Sequence, residues 1–97
     1  MDLRERLHAD LTTAMRGGDA QRRDVLRMVL AAIQQTEVDS RKTLDEDGLQ
    51  DVLRKQLKLR QESIADFEKA GRPKEVEREL TESAIIEAYL PKMMTRL

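Results

Sequence analysis

The stretch from Leu49 to Gly71, LQDVLRKQLKLRQESIADFEKAG, decides the fold. No proline interrupts it, and no glycine occurs before its last residue. At about 100° per residue, Leu49, Val52, Leu53, Leu57, Ile64 and Phe67 fall on one side at helical spacings of three and four. Arg54, Lys55, Lys58, Gln61, Glu62, Asp66 and Lys69 fall on the other. This pattern predicts a long helix with a core face and a solvated face. Gly71 suits the left-handed residue that ends such a helix, and Pro73 suits the first turn of a following one.

Working back from Leu49, Thr36 to Asp47 mixes charges with Ser and Thr and has little periodicity. It reads as a helix end, a loop and a new cap, with Asp45 or Thr43 starting the third helix. Before it, a second helix is predicted from about Ala20 to Val38. Val25, Leu26, Met28, Val29, Leu30, Ala32 and Ile33 form its broad apolar face, with Arg23, Arg27 and Gln34 opposite. The first helix is predicted from about Asp2 to Arg16, with Leu3, Leu7, Leu11, Ala14 and Met15 as its stripe. Asp2 and Glu5 have the spacing of a capping box, and Gly17-Gly18 followed by Asp19 stops one helix and caps the next. Forward of Gly71, a fourth helix is predicted to about Tyr89. Val76, Leu80 and Ala84 share one face, and Ile85, Ile86 and Tyr89 widen the apolar arc. Leu90-Pro91 breaks it. The expectation is an all-α fold, a small helical bundle of about four helices built from antiparallel hairpins. The methionines read as gap-fillers of its core.

Composition agrees with this class. The chain has 97 residues, 39% of them hydrophobic and 38% charged, enough for one domain with a core of its own. There is no Cys, so disulfide, thiolate-metal and cysteine-nucleophile chemistry are excluded. MDLRERLHADL lacks the apolar segment of a secretory leader, and no apolar run spans a bilayer; a cytoplasmic location with no membrane partner is expected. With 18 basic and 19 acidic side chains, any nucleic-acid affinity must come from a local patch. One Tyr and one Phe do not make a base-stacking platform.

Metal and catalytic motifs fail on inspection. Glu5 and His8 have the E-x-x-H spacing of a di-iron bundle, but His8 is the sole histidine and the second pair is missing. Thr43, Asp45, Asp47 and Gly48 imitate the start of a calcium loop, yet Arg54 stands where the closing bidentate Glu is required. Ser40, Ser63 and Ser83 have no elbow motif and only His8 as a base. Gly17-Gly18 is not followed by the Lys-Ser or Lys-Thr of a phosphate loop. The expectation is no catalytic residue, no metal and no cofactor.

Two features survive. Gln56, Arg60 and Ser63 interrupt the apolar face of the third helix, and Glu87 interrupts that of the fourth. A buried Arg requires a partner, and Glu87 or another buried acid is expected to bond Arg60; a structural polar core of Gln56, Arg60 and Glu87 follows. The second feature is basic: Arg54, Lys55 and Lys58, with Arg72 and Lys74 at the turn beyond, are candidate phosphate contacts. Asp51, Glu62, Asp66 and Glu68 share the helix, so a mixed solvated face stands beside RNA binding as the alternative.

The segment from Arg54 to Lys92, RKQLKLRQESIADFEKAGRPKEVERELTESAIIEAYLPK, resembles the YqeY proteins, stand-alone members of the GatB/YqeY group. The marks are Leu57-Lys58-x-Arg60-x-Glu62-Ser63, Phe67-x-x-Ala70-Gly71-Arg72 and Tyr89-Leu90-Pro91-Lys92. Upstream, Asp10-Leu11-x-x-Ala14-Met15, Asp19 and Val25-Leu26-Arg27-Met28 also fit. The resemblance implies an all-helical protein with a larger N-terminal bundle and a smaller C-terminal helical domain. It also implies a relation to the tail of the GatB subunit of the tRNA-dependent amidotransferase, a carbon–nitrogen ligase with glutamine as amido donor. Similar modules are appended to some glutaminyl-tRNA synthetases. The catalytic centres of that amidotransferase lie outside its tail, so no catalytic residue transfers to this chain. The implied partner is tRNA or a tRNA-charging or amidotransferase enzyme, with the chain as a non-catalytic accessory module. The alternative is a protein–protein interaction or dimerisation bundle, self-associating through the region from Ile85 to Leu97. Residues 1–92 are expected to form the bundle, and 93–97 a truncated linker toward an absent C-terminal domain.

Overall fold

The computed structural model describes residues 1–91, and they form four α-helices: α1 (Leu3–Gly17), α2 (Ala20–Ser40), α3 (Glu46–Lys69) and α4 (Pro73–Glu87). Each boundary has a local cause. The Asp2 carboxylate accepts from the Glu5 amide at 2.8 Å, and the Glu5 carboxylate accepts from the Asp2 amide at 3.0 Å, a complete capping box. Gly18 turns left-handed at φ 72°, and the Asp19 side chain then caps α2 by accepting from the Arg22 amide. α2 continues past the predicted end at Val38, because the polar residues after it still bond in helical register as far as Ser40. Arg41 then takes the left-handed conformation that glycine usually supplies. Asp45, not Thr43, caps α3, through the Gly48 amide at 2.8 Å.

α3 ends in a Schellman motif. The Arg72 amide donates to the Phe67 carbonyl and the Gly71 amide to the Glu68 carbonyl, with Gly71 at φ 67°. Pro73 opens α4, where its missing N–H costs nothing.

The helices pair as two hairpins, α1 on α2 and α3 on α4, the second pair making the more extensive contact. α2 touches both α3 and α4, while α1 only grazes α3. Leu3, Leu7, Leu26, Ile33, Leu53 and Ile86 form the fully buried centre, joined by Val25, Val29 and Leu49. Burial of each large side chain contributes up to about 1.5–3 kcal/mol.

Three expectations about faces are corrected. Met15 and Met28 lie more than half exposed rather than filling core gaps, since each sits at the edge of its helix's buried stripe. In α4 the inward face is that of Ile85 and Ile86, while Leu80 is 54% exposed and Ala84 also faces solvent. The two isoleucines, with Tyr89 just beyond the helix, bury more apolar area than Leu80 and Ala84 would. Consequently Ile85, Ile86 and Tyr89 are interior, and as a self-association seam they are already spent within the chain. The part of the expected seam after Pro91, including the linker 93–97, lies outside the described residues.

Candidate functional site

Arg60 marks the place where α2, α3 and α4 meet. It is only 7% exposed, and its Nη1 donates to Glu79 Oε1 at 3.0 Å and to Glu82 Oε1 at 2.5 Å. Nη2 lies 3.8 Å from the Met28 sulfur on α2. The two acids are themselves largely covered, so this is a charge triad removed from water. Such a triad is costly to assemble and costlier to break. Among the described residues, Arg60 Nε and the buried Ser83 hydroxyl have no hydrogen-bond partner.

A buried acid does partner Arg60, but it is not Glu87. Glu79, Glu82, Ser83 and Ile86 occupy one face at helical spacing, and this face turns toward α3 once Ile86 enters the core. Glu87, on the flank at the last turn, is exposed. Gln56 is half-buried and lines a groove between α2 and α3 with Ala32, Thr36 and Lys55. The series Glu79, Glu82, Ser83 and Ile86 was available as a sequence signal. It was hidden because glutamates on a charged helix read as solvated by default.

The five basic candidates are all exposed, but they are not equivalent. Arg54 donates to Asp51 at 3.0 Å and to Gln50 at 3.2 Å. Arg72 donates to Glu75 at 3.1 Å and packs over the Phe67 ring with its guanidinium carbon 5.9 Å from the centroid. Lys55, Lys58 and Lys74 form no ion pair among the described residues. The structure therefore separates three unengaged lysines from two arginines held by their own helices.

Two further polar links were not anticipated. Tyr89 reaches from the end of α4 back to α1, donating its hydroxyl to Asp10, with the Arg6 guanidinium 5.1 Å from its ring centroid. Burial, and then the Asp10 carboxylate, push the Tyr89 phenol above its ordinary range. At the N-terminal end of α1, Arg4 clamps Glu37 at 2.5 Å, and the same carboxylate accepts from the Leu44 amide at 2.7 Å. The Arg4 bond, then the Leu44 amide, hold the Glu37 carboxyl below the usual range. One carboxylate thus ties the loop after α2 to the start of α1. Both links join positions far apart in sequence, so no local spacing announces them.

Among the described residues, no group of three or more His, Cys, Asp or Glu side chains could hold a metal ion. No described helix is long and apolar enough to cross a membrane.

Residues 4–97, nearly the whole chain, match a family model described as Yqey-like protein. The chain belongs to the YqeY-like family. Its relatives include proteins named altered inheritance of mitochondria protein 41, mitochondrial. The one from Eremothecium gossypii is 40% identical over 85 residues, covering 87% of this chain and 46% of the relative. The one from Kluyveromyces lactis is 43% identical over 84 residues, covering 86% and 45%. The one from Lachancea thermotolerans is 39% identical over 88 residues, covering 90% and 47%. This YqeY-like chain spans a little under half the length of the curated relatives it matches. The expectation of a cytoplasmic location is overturned here: these relatives are named mitochondrial proteins.

Proposed function

We propose that this YqeY-like chain is a non-catalytic accessory module that associates with tRNA, or with an enzyme that charges or amidates it. The observation that carries this is the set of exposed lysines without ion pairs among the described residues: Lys55, at the edge of the groove between α2 and α3, Lys58 on α3, and Lys74 on the first turn of α4. Their ammonium groups are available to phosphates without first breaking a salt bridge, unlike the guanidinium groups of Arg54 and Arg72. The resemblance to the amidotransferase tail supplies the substrate class. In this proposal, carbon–nitrogen ligase chemistry with glutamine as donor belongs to the partner.

Fluorescence anisotropy with labelled bulk tRNA at low and moderate salt tests this. Binding should weaken steeply with salt, and Lys55→Glu with Lys58→Glu should lower the logarithmic salt slope by roughly one per lysine. No binding even at low salt would remove RNA contact from this bundle.

A specific observation favours a second reading, a protein-interaction bundle. Leu80 is more than half exposed and lines a groove of about 450 Å³ at the α3–α4 turn with Pro73, Val76 and Glu77. Loss of tRNA binding together with concentration-dependent association in sedimentation would favour it.

A further inference from the structure

We propose that Met28 is an oxidative modification site. Its sulfoxide, unlike its thioether, binds the buried guanidinium of Arg60 and tightens the joint between α2 and the α3–α4 hairpin. This chemistry does not depend on RNA contact.

Arg60 is short of acceptors. Its Nη1 bonds to Glu79 and Glu82, at 3.0 Å and 2.5 Å, whereas its Nε has no partner among the described residues. Nη2 meets only the Met28 sulfur among them, at 3.8 Å, and a thioether is a weak acceptor. At 7% exposure, Arg60 has little access to the water that would otherwise complete its hydrogen bonds. The other side of the contact is open. Met28 is 54% exposed, so a small oxidant reaches this side chain while the guanidinium behind it stays shielded.

The oxidant is hydrogen peroxide. The Met28 sulfur attacks one peroxide oxygen; the S–O bond forms and the O–O bond breaks. The proton on the transferred oxygen passes to the departing oxygen, which leaves as water. Sulfur loses two electrons and peroxide gains them. The product is a polar sulfoxide, and its oxygen is a far better acceptor than sulfur. With sulfur and Nη2 at 3.8 Å, that oxygen fits between them at a bent hydrogen-bond angle without moving either helix. The new bond is charge-assisted and forms where water competes poorly. It outweighs the small cost of a polar group on a half-exposed side chain.

Met15 supplies an internal contrast. Its sulfur lies 3.9 Å from Nη2 of Arg27, and it is 51% exposed. Arg27, however, is itself exposed to water and sits in the field of Asp24. A sulfoxide at Met15 exchanges one solvated contact for another and gains little.

The experiment is mild oxidation of the full folded chain with hydrogen peroxide. Peptide mass spectrometry locates the added oxygen, and circular dichroism follows thermal unfolding. Met28→Leu, a conservative exchange at a half-exposed position, is oxidised in parallel and subtracts the effect of the other methionines. Met28 should take up oxygen in the folded chain. Oxidation should raise the wild-type midpoint by about 4 °C or more relative to the change in Met28→Leu. Treatment with methionine sulfoxide reductases should reverse the rise. Met15→Leu should retain it. Arg60→Met combined with Glu79→Leu and Glu82→Met keeps Met28 but removes the guanidinium, and should lose it. No added oxygen on Met28 in the folded chain, an unchanged or lowered midpoint, or the same rise in the triple variant would each overturn the assignment.

Discussion

Arg54 and Arg60 lie on the same helix, each bonded to carboxylates, yet they obey different energetics. Arg54 is on the solvated side, bonded to Asp51 within its own helix, where water screens the pair. Arg60 is on the core side, bonded to two acids of α4 from which most water is excluded. Salt bridges on one helix thus differ severalfold in consequence, according to the face rather than the residue type. The outer pair is a local adjustment of a charged surface. The inner triad couples α3 to α4, and through Met28 it touches α2.

The sharpest way to break this contrast is Arg60→Ala. It leaves Glu79 and Glu82 together without their cation, and a loss of about 3–5 kcal/mol is expected in urea unfolding. Arg60→Met combined with Glu79→Leu and Glu82→Met removes all three charges, and stability should return to wild-type or above. If the triple variant folds but loses cooperative unfolding, the triad has a specificity role as well. If Arg60→Ala costs no more than Arg54→Ala, the distinction between the faces fails.

Next in size is Tyr89→Phe, expected to cost about 1.5–3 kcal/mol at neutral pH through loss of the bond to the Asp10 carboxylate. The raised phenol pKa means this contribution is whole below the ordinary tyrosine value, near 10, and is lost as pH rises through the higher folded-state value. The stability gap between wild type and Tyr89→Phe should therefore narrow in alkali. As the chain has one tyrosine, phenolate absorbance follows this group directly.

Glu37→Gln is smaller and has the opposite sign with pH. The folded carboxyl is held low, so its contribution is present above the ordinary Glu value of about 4.3 and disappears as pH falls through the lowered value. Thermal unfolding of wild type and variant should converge on acidification. The smallest effect is Arg54→Ala, within about 0.5 kcal/mol and reduced further by salt.

Local chemistry was readable in advance wherever its cause was local. Asp2 with Glu5, Gly18 with Asp19, and Gly71 with Pro73 mark three boundaries by residue type and spacing. The apolar side of α3 was also correct in phase, because Leu49, Val52 and Leu53 have no competitor on the opposite side. α4 was ambiguous. It carries apolar residues around most of its circumference, and periodicity cannot choose between Leu80 with Ala84 and Ile85 with Ile86. That error of rotation also assigned Arg60 to Glu87. The candidate basic residues were found as exposed positions, but which of them would be engaged by neighbours depended on side-chain geometry.

The amino-acid sequence by itself determined the helices, their caps, the breaks between them and the need for an acid beside Arg60. These follow from backbone sterics, hydrogen bonding within a turn and the cost of burying a charge. Only the tertiary structure decided which face of α4 turns inward, which acids meet Arg60, and how Tyr89 reaches Asp10 and Arg4 reaches Glu37. Those outcomes depend on how four amphipathic surfaces pack together, and no window along the chain contains that information.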